Sequence, residues 1–427
     1  MTTTERFHAL DAVRSFALLA GIVLHASVTF FMPDPVADSS QSSTLALLYF
    51  VLHTFRMTLF FVIAGFFARL LLQRRGVRSF IKNRTTRIVA PTVVGWVILV
   101  PLTTSVVIWS AARHLPPAAA AAALAGAPAM MLSHGLRNLP LMHLWFLYYL
   151  CIFYVAALAL YWLCDRLLDR SGRLRGALDA TVRTLLRSYL APWVLGMPLF
   201  AVLGFDDRIL ARLGIPTPDT GLYPSKPALV AYGTAFALGW FVHRQPAMLG
   251  EWRKRWAAHL VTGLALTVLC VTVLHVVPEA RTGWLLNSVL WSRAVYVACY
   301  ISSIWYWSFG ITGAVLRFCS GESFIRRYLA DSSYWLYLVH VPVVYFLQVI
   351  FAPVPWHWAI KFPLIVLFTL TLLLLSYHFC VRPTWIGQIL NGRKYPRRFA
   401  AAQAPARLPL GAGALPGRLG TPRPDTW

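Results

Sequence analysis

Residues 9–32 read ALDAVRSFALLAGIVLHASVTFFM. A helix needs roughly 20 mostly apolar residues to cross the hydrocarbon core of a bilayer, and this run is long enough. It lacks the short apolar core and small-residue exit of a cleaved leader, so it is expected to stay as an anchor. The pattern repeats along the chain, in segments at about 45–72, 88–110, 141–163, 185–204, 227–243, 257–277, 286–316, 328–350 and 358–380. The eighth is long and is expected to be kinked or split.

Composition agrees. Of 427 residues, 58% are hydrophobic and 13% charged, where a soluble domain has about 45–50% and about 25%. Half the usual charge cannot cover a water-soluble globule of this length. The expected fold class is all-α, a polytopic transmembrane helical bundle of about ten spans. Pro192, Pro198, Pro342 and Pro363 fall inside apolar runs. They are tolerated there if neighbours satisfy the freed carbonyls.

The net charge of +24 would suggest nucleic acid in a soluble protein. Here the basic residues lie between the apolar runs, without interleaved aromatic strands, so topology is the better reading. With the N-terminus in the cytoplasm, the inner pieces are 1–8, 73–87, 164–184, 244–256, 317–327 and the tail from 381. They carry Arg74, Arg75, Arg78, Lys82, Arg84, Arg87, Arg253, Lys254 and Arg255, among others. The outer loops hold fewer cations and six acids, Asp34, Asp38, Asp206, Asp207, Asp219 and Glu279. Both termini are therefore expected in the cytoplasm of a cell inner membrane. Residues 1–390 read as one transmembrane domain. Residues 391–427, rich in Ala, Pro, Gly and Arg, read as a disordered basic cytoplasmic tail. The six cysteines are scattered without CxxC spacing, so neither a metal site nor a disulfide framework is expected. The histidines have no carboxylate or thiol partners at ligand spacing either. No internal repeat is visible, which disfavours an inverted-repeat transporter.

Ionisable groups at membrane depth are costly and mark cavities or partners. Asp11, Arg14 and His25 share one stripe of the first helix, at three and eleven residues. His25 is the natural general base near neutral pH, although a lone membrane histidine also serves as a packing residue. His53 and Arg56 are three apart on the second helix. A buried structural ion pair at Arg56 is the alternative reading. Arg84 and Arg87, at the start of the third, make a bidentate clamp for phosphate, although a basic loop explains the charge as well. Ser333, Tyr337 and His340 share a face of the ninth helix. His143 and Trp145 open the fourth, beside an interfacial aromatic belt. His378 is expected to be interfacial.

In this arrangement the chain resembles the acyltransferase 3 family, and within it the glucans biosynthesis protein C group. The matching stretches are Leu10-Asp11-Ala12-Val13-Arg14 through His25, then His53-Thr54-Phe55-Arg56-Met57 with Phe60 to Phe67. Arg84-Thr85-Thr86-Arg87-Ile88 with Pro91, His143-Leu144-Trp145-Phe146-Leu147, and Tyr337-Leu338-Val339-His340 with Pro342 follow in order. The middle, about 165–330, matches only in character. The resemblance implies a membrane O-acyltransferase with a cytoplasmic acyl-CoA donor and no permanently bound cofactor. It implies a periplasmic or envelope glycan as acceptor and, for the glucan-type group, succinyl or acetyl transfer. It also implies that His25, Arg14, Arg84 and Arg87 are functionally important. Catalysis is expected from His25, Arg14, Asp11, Arg56 and His340, donor binding from Arg84 and Arg87, and substrate contact from His53, His143, Trp145, Ser333 and Tyr337. Two other classes are compatible with the residues. One is a transporter or flippase of an anionic solute, with these groups lining a path. The other is a membrane scaffold, which leaves the buried polar groups without a reason.

Overall fold

The computed structural model describes residues 3–32, 36–113, 115–133, 138–164, 169, 172–206, 209, 214–279, 289–321, 323–392 and 394–395. Among them the secondary structure is helical apart from one isolated bridge, Pro140 with Thr220. The helices are α1 (Thr3–Ser27), α2 (Ser43–Arg84), α3 (Ala90–Ala112), α4 (Pro117–Ser133), α5 (Trp145–Leu163), α6 (Arg173–Arg187) and α7 (Ala191–Leu203). They continue with α8 (Lys226–Arg244), α9 (Met248–Lys254), α10 (Trp256–Glu279), α11 (Val289–Phe318), α12 (Phe324–Phe351), α13 (Trp358–Ser376) and α14 (Trp385–Asn391).

All ten expected segments fall on helix. Among the described residues, seven stretches are long and apolar enough to cross a bilayer, with Ser43–Ala112 counted as one, or eight if the bent pair α6–α7 is a span. Ser43–Ala112 holds two expected segments. Its 70 residues, at about 1.5 Å each, far exceed a hydrocarbon core of about 30 Å. The segment expected at 227–243, α8, is not among the seven. It packs beside α2 and buries much of its length. The eighth segment, open to a kink or a split by its length, runs as one helix from Val289 to Phe318, and its start at 286 lies outside the described residues. So does most of the expected tail, at 393 and 396–427.

The stretch 73–87, expected as a loop, is helical on both sides of one break. Gly76 has φ 71° and ψ 174°, a region essentially restricted to glycine. The chain resumes as helix and passes through a π turn, Thr85–Val89, into α3. Lipid-facing stripes explain the composition. Val93, Val94, Val97 and Ile98 on α3, and Val261, Leu264 and Val268 on α10, are exposed. Such faces are stable only in a solvent as apolar as they are.

Helix pairs close through small residues. A Cβ on Gly65 of α2 would overlap the Phe236 carbonyl of α8, and one on Gly239 would overlap the Val62 carbonyl. Backbones meet directly at these points, as in membrane helix pairs that lack a hydrophobic drive to associate. Elsewhere a wholly buried ion pair ties α13 to the segment before α2. Lys361 Nζ lies 2.9 and 3.0 Å from the two Asp38 carboxylate oxygens.

Gly65→Val or Gly239→Val must force α2 and α8 apart. We expect a loss of about 1–3 kcal/mol or more, read as a lowered thermal midpoint in detergent. Lys361→Met leaves Asp38 buried and unpaired. It should cost about 3–5 kcal/mol, whereas the pair Lys361→Met with Asp38→Leu should recover most of that loss in the same assay.

Candidate active site

Pro342 sits inside α12 and has no N–H, so the Leu338 carbonyl one turn back loses its helical donor. The His143 ring takes that place, with Nε2 2.9 Å from the Leu338 oxygen. A carbonyl only accepts, so His143 Nε2 carries the proton. The Tyr337 hydroxyl returns the contact, donating to the His143 carbonyl at 2.5 Å. The start of α5 is thus clasped to the middle of α12 by two reciprocal bonds. The residue before His143 is strained: Met142 has φ +46°, an uncommon conformation for a side chain of its size. Met142 is held there by its N–H on the Asp219 carbonyl at 2.8 Å.

α1 and α12 lie side by side in parallel. Arg14 donates to the Ala330 carbonyl at 3.0 Å, and Gln348 donates to the His25 carbonyl at 2.8 Å. The last carbonyls of a helix have no intrahelical donor, and Gln348 supplies one at the end of α1. This register brings the His25 and His340 rings to 5.1 Å between centroids, with His143 5.4 Å from His340. His340 Nδ1 lies 2.7 Å from the Tyr337 carbonyl. In the neutral ring Nδ1 is therefore protonated, and Nε2 keeps the free lone pair. The His25 ring makes no hydrogen bond to any described residue. Among the described residues no three His, Cys, Asp or Glu side chains are grouped so as to hold a metal ion.

The three rings line a cavity of about 390 Å³. Arg56 enters it from α2. A Cβ on Gly21 would lie 2.9 Å from Arg56 Nη1, so the guanidinium occupies room that only glycine leaves. Arg56 has no hydrogen bond or ion pair with any described residue, and its Nε is buried and unsatisfied. His53 stacks on Tyr49 at 5.4 Å, and its Nε2 lies 3.3 Å from Thr217 Oγ1. Trp145 forms part of the wall. Asp219 is the one carboxylate of the lining among the described residues, and partial burial raises its pKa above the usual carboxylate value.

A second cavity, of about 240 Å³, lies beyond it and is lined by Arg14, Arg84 and Arg87 together with Asp331 and Ser333. Arg84 is held by aromatic faces, with its guanidinium carbon 4.8 Å from the Tyr154 centroid and 5.4 Å from that of Phe80. Arg87 donates through Nε and Nη2 to the Leu390 carbonyl, near the end of α14. Arg84 makes no hydrogen bond or ion pair with any described residue, and its Nε is buried and unsatisfied.

The expected site residues therefore separate into two groups. His25, His53, Arg56, His143, Trp145 and His340 meet in the histidine cavity. Arg14, Arg84, Arg87 and Ser333 meet in the basic one, and Tyr337 lines both. Asp11 lies 3.3 Å from Arg14 and lines neither cavity. The stripe on α1 is real, but a stripe fixes direction, not depth. Eleven residues place His25 about 16 Å along the axis from Arg14. Ser333 likewise shares a face with His340, but it binds the Ala330 carbonyl at 2.7 Å inside the basic cavity. Tyr49, Met142, Thr217, Asp219 and Gln348 escaped the sequence reading. Of these, only the buried Gln348 in an apolar helix carried a signal.

The description of the family model that matches this chain is acyltransferase domain, over residues 7–378. Glucans biosynthesis protein C of Escherichia coli strain K12 is 34% identical over 88 residues, 20% of this chain and 23% of that protein. The protein of the same name from Escherichia coli O1:K1 is 33% identical over 88 residues, with the same coverage. The matched stretch thus spans about a quarter of these relatives. No solved structure matches. With the family model covering both cavities and every helix that lines them except α14, this multi-pass membrane protein belongs to the acyltransferase 3 family.

Proposed function

We propose that the protein moves an acyl group, succinyl or acetyl, from cytoplasmic acyl-CoA to a sugar hydroxyl of a periplasmic or other envelope glycan. The observation that carries this reading is the pair of adjoining cavities, one basic and one lined by four histidines and an arginine with no ion-pair partner among the described residues. The positive-inside rule supports a position for the basic cavity on the cytoplasmic side of the inner membrane. There Arg84, Arg87 and Arg14 receive the phosphates of CoA through charge-assisted hydrogen bonds. The glycan enters the histidine cavity from the opposite side. The name of the curated relatives, with its reference to glucans, supports that acceptor class.

In the reaction the acceptor oxygen attacks the thioester carbonyl, and its proton passes to His25. His340 stands beside His25 with Nε2 free to accept, which favours a protonated neighbour. That tautomer makes neutral His340 a poor donor to an oxyanion. Arg56 takes that role, in a setting where a fixed cation is worth far more than in water. Collapse of the tetrahedral intermediate breaks the C–S bond, and the thiolate recovers the proton from His25.

Two measurements test this. Calorimetry with acetyl-CoA and succinyl-CoA should show binding that weakens about 10–100-fold in Arg84→Ala/Arg87→Ala, given the worth of charged hydrogen bonds. Well-folded wild type that binds neither donor would point to transport instead. His25→Ala should lower transfer about 10²–10⁴-fold, and Arg56→Met about 10²–10³-fold. Both should keep donor affinity, so that the loss lies in turnover.

A further inference from the structure

Four side chains line both cavities: Leu18, Phe60, Phe146 and Tyr337. They come from four different helices, and each sits at the same step between the two chambers. On α1, Leu18 lies between Arg14 and His25. On α12, Tyr337 lies between Ser333 and His340. On α2, Phe60 follows Arg56 by one turn, and on α5, Phe146 follows His143 by nearly one. The rings touch in sequence, with Phe60 and Phe146 5.3 Å apart and Phe146 and Tyr337 5.6 Å apart between centroids. The two chambers are therefore divided by a single layer of side chains. Three of its members are wholly apolar. The fourth spends its one polar group on the His143 carbonyl.

We propose that this layer is a gate for the acyl group, with Tyr337 as its moving member and Phe60 and Phe146 as its measure of acyl length. The proposal rests on the function proposed above and deepens it. With the Tyr337 hydroxyl on the His143 carbonyl, a thioester held in the basic cavity is screened from His25 and from water in the histidine cavity. Passage of the acyl group displaces the Tyr337 ring and breaks one hydrogen bond, whose net worth is small beside the packing it leaves in place. Tyr337 also offers its carbonyl to His340 Nδ1. Its backbone thus orients one base while its ring controls access to both. Two phenyl rings at the opening leave room for a short acyl group and oppose a longer one.

The gate makes a side reaction visible. If the layer is opened, water attacks the thioester carbonyl. The C–S bond breaks, a C–O bond forms, one proton of the water goes to the leaving thiolate, and a free carboxylic acid is released. The experiment measures thiol release by the purified full-length protein without any glycan, using acetyl-, succinyl- and hexanoyl-CoA. Wild type should release little. Tyr337→Ala should raise acceptor-independent release about tenfold or more, because exclusion of water is what suppresses hydrolysis, and Tyr337→Phe should fall between. Phe60→Ala should raise the rate with hexanoyl-CoA about 10-fold or more relative to acetyl-CoA, the discrimination available to an apolar pocket. Leu18→Ala provides a second opening should Tyr337→Ala lose wild-type helicity. Folded variants whose release and chain-length preference match wild type would overturn the gate. Wild type that transfers nothing and binds no acyl-CoA would overturn the underlying function as well, a result separable from the first by the donor-binding measurement alone.

Discussion

The carbonyl of Leu338 is the point on which the site depends. A proline in a membrane helix leaves one strong acceptor unpaired where no water can reach it, a deficit of several kcal/mol if uncorrected. His143 corrects it, and the consequences spread outward. The ring is fixed in one tautomer and one direction. The start of α5 must come close enough for the Tyr337 hydroxyl to reach the His143 carbonyl, and the chain before it accepts a strained φ at Met142. That strain is held by the loop carrying Asp219, so one missing N–H organises two helices, a loop and the wall of the cavity.

Charge divides the structural groups from the functional ones. Lys361 and Asp38 are as deeply buried as any ion pair among the described residues, and each neutralises the other with good geometry. Asp179 and Arg244 do the same at a helix end. Among the described residues Arg56 has no such partner, although a cation at membrane depth is costly. The fold keeps room for that cation by placing Gly21 opposite it. A buried charge held ready without a counter-ion is the signature of a site whose counter-ion arrives with the substrate or develops in the transition state.

The helical class of the fold, helix at the ten expected segments and many of the polar residues that line the two cavities were legible from the sequence. The physics is local. Apolar runs must be helical in lipid, and polar residues inside them must face something other than lipid. What the sequence did not reveal is relative depth and the partners across helices. Asp11, Arg14 and His25 share a face, yet the α1–α12 register sends Arg14 to one chamber and His25 to the other. The same register separates Ser333 from His340. Thr217 and Asp219 reach the site from a loop with no periodicity to read. Gly76 looked like part of an ordinary basic loop because helix propensity carries no record of a single glycine-only dihedral between two long helices.

The two-chamber design resolves a conflict that one open cavity cannot. A nucleophile-activating base and a thioester must meet, but a base that can activate a sugar hydroxyl can also activate water. On the proposed function, one layer of side chains between the two cavities parts the reactants and denies water a continuous path. It also explains why the layer is aromatic. Rings exclude water over a broad area yet move as units about two torsions, so the barrier opens without unfolding a helix. The hydroxyl of Tyr337, bound to the very residue that Pro342 locks in place, sets the closed position against the most rigid feature of the site. A gate needs a fixed frame, and the proline-freed carbonyl of α12 supplies it.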